Sequence, residues 1–121
     1  MKFLKDPRFY RTLSVAWMVL IFWLSSRPET GLPELFWGQD KLEHFLAFGM
    51  LGFFYFHSFR RRDEKPTYTR VLLITLIVAS YGLFDEAHQY FVPGRDASLA
   101  DLAADTAGGF FAAVIFYHKS F

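Results

Sequence analysis

The chain has 121 residues, of which 53% are hydrophobic and 21% aromatic, and sixteen of them are phenylalanine. Its formal net charge of +1 argues against a nucleic-acid partner, which would favour a strongly basic protein, so we expect none. The chain has no cysteine, which excludes disulfides, thiolate metal sites and cysteine nucleophiles. At this length we expect one domain, residues 1–121.

Charged residues occur in blocks, and four apolar runs lie between them, at residues 13–24, 45–59, 71–84 and 102–117. Each run is shorter than the roughly 20 residues that a spanning helix needs, but flanking aromatic and basic residues supply the difference. A soluble helical bundle is the alternative, yet four helices without a polar face would leave none to meet water. We therefore predict an all-α, integral membrane four-helix bundle, with spans at about 10–26, 42–60, 69–88 and 99–118.

Lysine and arginine are distributed unevenly among the tails and loops. The N-terminal tail has four, the loop between the second and third runs has five and the C-terminal tail has one, whereas the other two loops share three. Because cytoplasmic segments of membrane proteins are enriched in these residues, we predict that both termini and the middle loop are cytoplasmic. The other helix ends then form the outer face, where nine of the twelve acidic residues lie.

The second helix opens with a dense polar segment, Asp40-Lys41-Leu42-Glu43-His44. Asp40 is predicted to cap the helix and Glu43 to complete a capping pair. Lys41 and His44 are three residues apart, so both can project from one helical face. His44 begins the apolar run, and a structural role at the interface and a functional role remain equally open for it.

The third helix ends with two adjacent carboxylates, Asp85 and Glu86, followed by His88 and Gln89. Ionisable groups just inside a membrane boundary are costly unless they are paired or functional. The structural alternative is a helix end whose side chains reach the headgroup level. We favour a functional role for Asp85, Glu86 and Gln89 taken together.

The fourth helix carries two acids of different predicted roles. Ser98 and Asp101 have the spacing of a capping box. Asp105 lies one turn deeper, beside small residues that recur every four positions and allow membrane helices to approach closely. We therefore expect Asp105 to be buried in protein, with His44, Lys41 or Arg95 as its partner.

The sequence resembles the VanZ-like family of small bacterial membrane proteins, named for a protein associated with teicoplanin resistance. The resemblance is carried by Ser25-Ser26-Arg27-Pro28, Asp40-Lys41 with His44, Asp85-Glu86 with Gln89, Pro93-Gly94-Arg95, and Asp101, Asp105 and Gly108. It implies a multi-pass protein of the bacterial inner (plasma) membrane with a link to the cell envelope or to the glycopeptide-antibiotic response. The family pattern usually has asparagine where this chain has Asp105, so a role that needs an amide donor is in doubt here.

Three functions fit these residues. In the first, the protein binds an anionic lipid-linked or cell-wall-related ligand at the outer face. The cations Lys41, His44 and Arg95 would hold the ligand, and Gln89, Asp101 and Asp105 would complete the site.

In the second, it is a hydrolase or transferase acting on a phospholipid or polyprenyl-phosphate headgroup. Asp85 or Glu86 would be the general base and His44 the acid. In the third, it transports ions or protons as an oligomer.

Cofactors are not predicted by the sequence. The acids and two histidines offer suitable ligands for a divalent ion. Their spacing, however, is not specific enough to predict a metal site. The partners we expect are membrane lipids.

Overall fold

The computed structural model describes residues 1–27, 35–61 and 64–119. Pro28, from the Ser-Ser-Arg-Pro motif, and Arg62, from the basic middle loop, lie outside the described residues. A short 3₁₀ turn, Lys2–Lys5, precedes four long helices: α1 (Pro7–Ser26), α2 (Gln39–Ser58), α3 (Tyr68–Tyr90) and α4 (Leu99–Lys119). The described ranges contain no β-strand, and the all-α prediction is confirmed.

Helices α1, α3 and α4 are long and apolar enough to cross a membrane, by length and composition. α2 is less apolar, because Lys41, Glu43 and His44 lie in its first turns. The observed helices agree with the predicted spans to within three residues at every end. α1 begins earlier than predicted because the side chain of Asp6 accepts a hydrogen bond from the Arg8 backbone N–H and caps the helix.

Consecutive helices run in opposite directions, and α4 packs chiefly against α2 and then α3. Glycines set the spacing of α2 and α4. A Cβ on Gly108 would overlap the backbone carbonyl of Phe45, and one on Gly52 would lie 3.0 Å from Gly109 Cα. The prediction that the small residues of α4 face a neighbouring helix is confirmed.

The outside of the bundle is apolar and its interior is partly charged. Large hydrophobic side chains are exposed on several helices, for example Val19 on α1, Leu72 and Leu83 on α3, and Phe111 on α4. Carboxylates are instead among the most buried side chains in the chain. An exterior this rich in large apolar side chains is unusual for a water-soluble protein and suits a lipid surrounding.

Candidate functional site

All of the predicted site residues meet at one end of the bundle, where α1 and α3 end and α2 and α4 begin. We call them the polar cluster: Lys41, His44, Asp85, Glu86, Gln89, Arg95, Asp101 and Asp105. Asp85, Glu86, Gln89, Asp101 and Asp105 are buried. The antiparallel helices produce this meeting, since the four segments that hold these residues are adjacent in space although they span more than 60 residues of sequence.

His44 is the partner of Asp105. Its Nδ1 lies 2.7 Å from Asp105 Oδ1, which joins α2 to α4 inside the bundle. Asp105 is completely buried, and the side chain of His44 is 10% exposed. The same Nδ1 is 3.9 Å from Glu86 Oε1. Of the three partners considered for Asp105, the structure places His44 beside it.

Lys41 forms ion pairs at the edge of the cluster. Its Nζ is 2.5 Å from Asp101 Oδ1 and 3.1 Å from Asp40 Oδ2. The predicted cap at Asp40 is wrong, because α2 already begins at Gln39, after Gly38 in a left-handed conformation (φ 85°). Asp40 therefore lies inside the first turn, where its carboxylate faces Lys41 instead of the helix end.

The capping box at the start of α4 is only half formed. Ser98 Oγ accepts a hydrogen bond from the Asp101 N–H at 3.0 Å, as predicted. The reciprocal bond is replaced, because the Ser98 N–H donates to Glu86 Oε2 at 3.0 Å. Glu86 thus fixes the connection between α3 and α4, and the Asp101 carboxylate is left to pair with Lys41.

Gln89 and Asp85 connect α3 to α1. Gln89 Nε2 donates to Ser25 Oγ at 3.2 Å and lies 3.5 Å from Asp85 Oδ2. The adjacent residues also meet, since His88 Nε2 is 2.8 Å from Ser26 Oγ. Sequence reasoning did not assign a site role to either serine, although both end an apolar run beside the outer-face acids.

A cavity of about 160 Å³ lies among α1, α2 and α3 beside the cluster. Arg95 contributes to its wall, and Arg95 Nη1 donates to the carbonyl oxygens of Leu24 and Arg27, each at 3.2 Å. Within the described part of the chain, no carboxylate pairs with Arg95. The wall contains both polar and apolar residues. The polar ones are Ser25, Asp40, Glu43, His44, Asp85, Gln89 and Arg95, and the apolar ones are Ile21, Leu24, Ala47 and Phe48.

Four carboxylate oxygens in the cluster are buried without a hydrogen bond from any described residue. They are Asp85 Oδ1, Glu86 Oε1, Asp101 Oδ1 and Asp105 Oδ2. Of these, Asp101 Oδ1 is in an ion pair with the Lys41 ammonium. The cluster contains four carboxylates, and its one lysine, Lys41, is shared between Asp101 and the neighbouring Asp40. The centre of the cluster is therefore acidic, whereas Arg95 supplies a positive charge at the cavity wall.

The family of the chain can be assigned from its sequence. The VanZ/LLP1 family model matches residues 10–120, which include the whole polar cluster and nearly all of the four helices. Comparisons with curated proteins and with solved structures find no match. The resemblance noted from the motifs is confirmed, and the chain belongs to the VanZ/LLP1 family.

Proposed function

We propose that this protein crosses the bacterial plasma membrane several times and binds an anionic, lipid-linked ligand of the cell envelope at the polar cluster. The observation that carries the proposal is the cavity wall, in which Arg95, a cation that pairs with no carboxylate of the described residues, faces the same space as apolar side chains. A ligand with a charged headgroup and a hydrocarbon chain has this combination of properties.

Arg95 is the residue that would hold the headgroup. One of its guanidinium nitrogens is occupied by two backbone carbonyls, which orient the group. Its other guanidinium nitrogens form no hydrogen bond with a described residue, and a planar guanidinium binds phosphate oxygens in a bidentate manner. His44 lies in the same wall, beside the space proposed for the headgroup.

The apolar part of the wall would contact the start of the hydrocarbon chain. Ile21 and Phe48 belong to the buried core, and Leu24 and Ala47 extend this surface toward the lipid-facing exterior. A volume of about 160 Å³ suits a headgroup and a few methylene groups, not a whole lipid. The rest of the chain would lie along the outside of the bundle, in the membrane.

Lys41 has a different part in this proposal from the one first assigned to it. Its ammonium is paired with Asp101 and Asp40, and it does not line the cavity. Lys41 therefore supports the site by holding the start of α2 against α4. Asp101 does the same from the opposite side.

The test is a binding titration of the purified protein, in detergent micelles, with a polyprenyl phosphate. Arg95→Gln removes the cation and should weaken binding about 10- to 100-fold, which is the range for a hydrogen bond to a charged group. Arg61→Gln, at the other end of the bundle, is the matched control and should bind like the wild type. Equal affinity of the Arg95 variant and the wild type would refute the proposed site.

A second candidate is hydrolysis or transfer on such a headgroup, and the His44–Asp105 contact favours it. A carboxylate 2.7 Å from an imidazole orients the ring, as a general acid or base requires. The measurement is release of phosphate or headgroup by purified wild type and Glu86→Gln. If the wild type and the Glu86→Gln variant turn over the substrate at equal rates, Glu86 is not the base.

A further inference from the structure

We infer that His44, Glu86 and Asp105 form a binding site for a divalent transition-metal ion, with Zn²⁺ as the first ion to test. This goes beyond the proposed function, since a lipid-linked ligand needs no metal to bind Arg95. It also goes beyond the sequence, in which the spacing of these residues predicted no metal. Helices α2, α3 and α4 each contribute one ligand.

The donor atoms are already gathered. One nitrogen of His44 and one carboxylate oxygen each of Glu86 and Asp105 lie within 4.8 Å of one another. His44 Nδ1 is 2.7 Å from Asp105 Oδ1 and 3.9 Å from Glu86 Oε1. Metal–ligand bonds of about 2.0–2.2 Å separate neighbouring donors by roughly 3–3.5 Å, so shifts of less than 1 Å would complete the site.

Unpartnered oxygens point independently to a missing cation. Glu86 is only 6% exposed, and its Oε1, the oxygen nearer His44, accepts no hydrogen bond from described residues. Asp105 is fully buried, and its Oδ2 is likewise without a donor. A carboxylate buried without a compensating charge costs several kcal/mol. In the part of the chain that the structure describes, His44 is the one cation-forming side chain that approaches both acids.

Two neighbouring acids, Asp40 and Asp101, differ from Glu86 and Asp105 because they contact a lysine. Asp40 and Asp101 also approach His44, and with it they form a second group of suitable ligand spacing. Both of those acids contact the Lys41 ammonium, at 3.1 and 2.5 Å. Among the described residues, neither Glu86 nor Asp105 is in an ion pair with a lysine or arginine, and both face Nδ1 of His44, which places the ion there.

The surroundings support both ligands. Glu86 keeps its orientation through Oε2, which accepts the Ser98 N–H and leaves Oε1 for the ion. Metal binding requires an unprotonated Nδ1, so the proton of His44 moves to Nε2. There it faces Asp40 Oδ1 and Asp101 Oδ2, each at 3.7 Å, and a carboxylate beside the second nitrogen is the usual support of a metal-bound histidine.

The ligand set indicates the class of ion. Imidazole favours Zn²⁺ and its transition-metal neighbours over Ca²⁺ and Mg²⁺, and two carboxylates tolerate Zn²⁺ and Mn²⁺. Three protein ligands leave room for a fourth from outside. Because His44 also lines the cavity, the ion would lie beside the space proposed for the anionic headgroup.

The test is calorimetric titration of chelator-treated, full-length protein in detergent micelles with ZnCl₂. We expect one ion per wild-type chain. Glu86→Gln and Asp105→Asn should each bind Zn²⁺ at least about 100-fold more weakly. Loss of a side chain that only supports a metal ligand costs about 10- to 100-fold, so a larger loss indicates direct contact with the ion. Asp96→Asn removes an exposed acid from the loop before α4 and is the matched control, expected to bind as the wild type does.

X-ray absorption of the Zn²⁺-loaded wild type keeps the inference testable if a variant fails to fold. It should report one imidazole nitrogen and oxygen donors around the ion. Absence of saturable binding, an unweakened affinity in both variants, or a spectrum without imidazole would each overturn the metal site. Polyprenyl-phosphate binding that persists with chelator present would leave the proposed function standing, so the two failures can be told apart.

Discussion

Asp105 occupies a position where the family resemblance leads one to expect an amide, and its carboxylate has no contact with solvent. A buried carboxyl group can be stabilised in two ways, by its own protonation or by a cation beside it. The contact of 2.7 Å with His44 Nδ1 favours the second. His44 stacks parallel to Phe48, with an interplanar angle of 6°, so the ring that meets Asp105 is also held by the core.

Lys41 gives a stability prediction at the same scale. Lys41→Met removes the ammonium that lies 2.5 Å from Asp101 and leaves that buried carboxylate without its charged partner. We expect the free energy of unfolding to fall by about 1–3 kcal/mol. Thermal unfolding in micelles, followed by circular dichroism, measures the loss.

Lys65→Met is the control for this change, because Lys65 is exposed at the opposite end of the bundle. Its melting temperature should stay close to that of the wild type. A Lys41 variant as stable as the Lys65 variant would show that the contact with Asp101 contributes nothing to stability.

At the scale of the helices, two glycines of the α2–α4 contact differ in how much room they have. A side-chain carbon on Gly108 would overlap the Phe45 carbonyl and lie 2.9 Å from Gly49 N, both of them backbone atoms that cannot rotate away. One on Gly49 would meet nothing closer than 3.5 Å. The tight approach therefore depends on Gly108, with Gly49 close to an ordinary contact distance.

Gly108→Ala should therefore push α4 away from α2 and lower the free energy of unfolding by about 1–3 kcal/mol, as overpacked sites do. Gly49→Ala is the matched variant and should change stability by less than about 0.5 kcal/mol. Thermal melts of both proteins in the same detergent provide the comparison. If both variants lose the same stability, the account of this interface is incorrect.

The helices themselves could be predicted from the sequence because each apolar run is bounded by charges. Their exact ends could not, since a local side chain decides them, as Asp6 does for α1. That the polar residues meet at one end of the bundle was also predictable, because antiparallel helices bring residues 41–44, 85–89 and 101–105 together. The pairing within it was not. Whether Asp105 meets His44 or Lys41 depends on the rotation of α2 against α4, which the glycine contacts set.

At the scale of the whole molecule, apolar side chains cover the outside and the acids are gathered at one end. The distribution of lysine and arginine predicts that this end faces away from the cytoplasm. At the opposite end, five of the basic residues behind this prediction line one recess together with Glu64: Lys2, Lys5, Arg60, Arg61 and Lys65.

Single cysteines test the orientation, because the chain contains none of its own. Ala97→Cys lies in the exposed loop before α4, and Lys65→Cys lies in the loop before α3. A membrane-impermeant maleimide should label position 97 in intact cells and position 65 only after lysis. Labelling in the reverse order would invert the topology and place the polar cluster on the cytoplasmic side.

The most direct test of the central claim, that the polar cluster is a ligand site, is native mass spectrometry of the protein in lipid nanodiscs. Wild type is compared with a Glu86→Gln, Arg95→Ala double variant and with a Glu64→Gln, Arg61→Ala double variant, which removes an exposed pair at the other end. We expect a lipid or metal adduct that the wild type and the Glu64/Arg61 variant retain and the Glu86/Arg95 variant loses. An adduct retained by all three proteins, or found in none, would contradict a ligand site at the polar cluster.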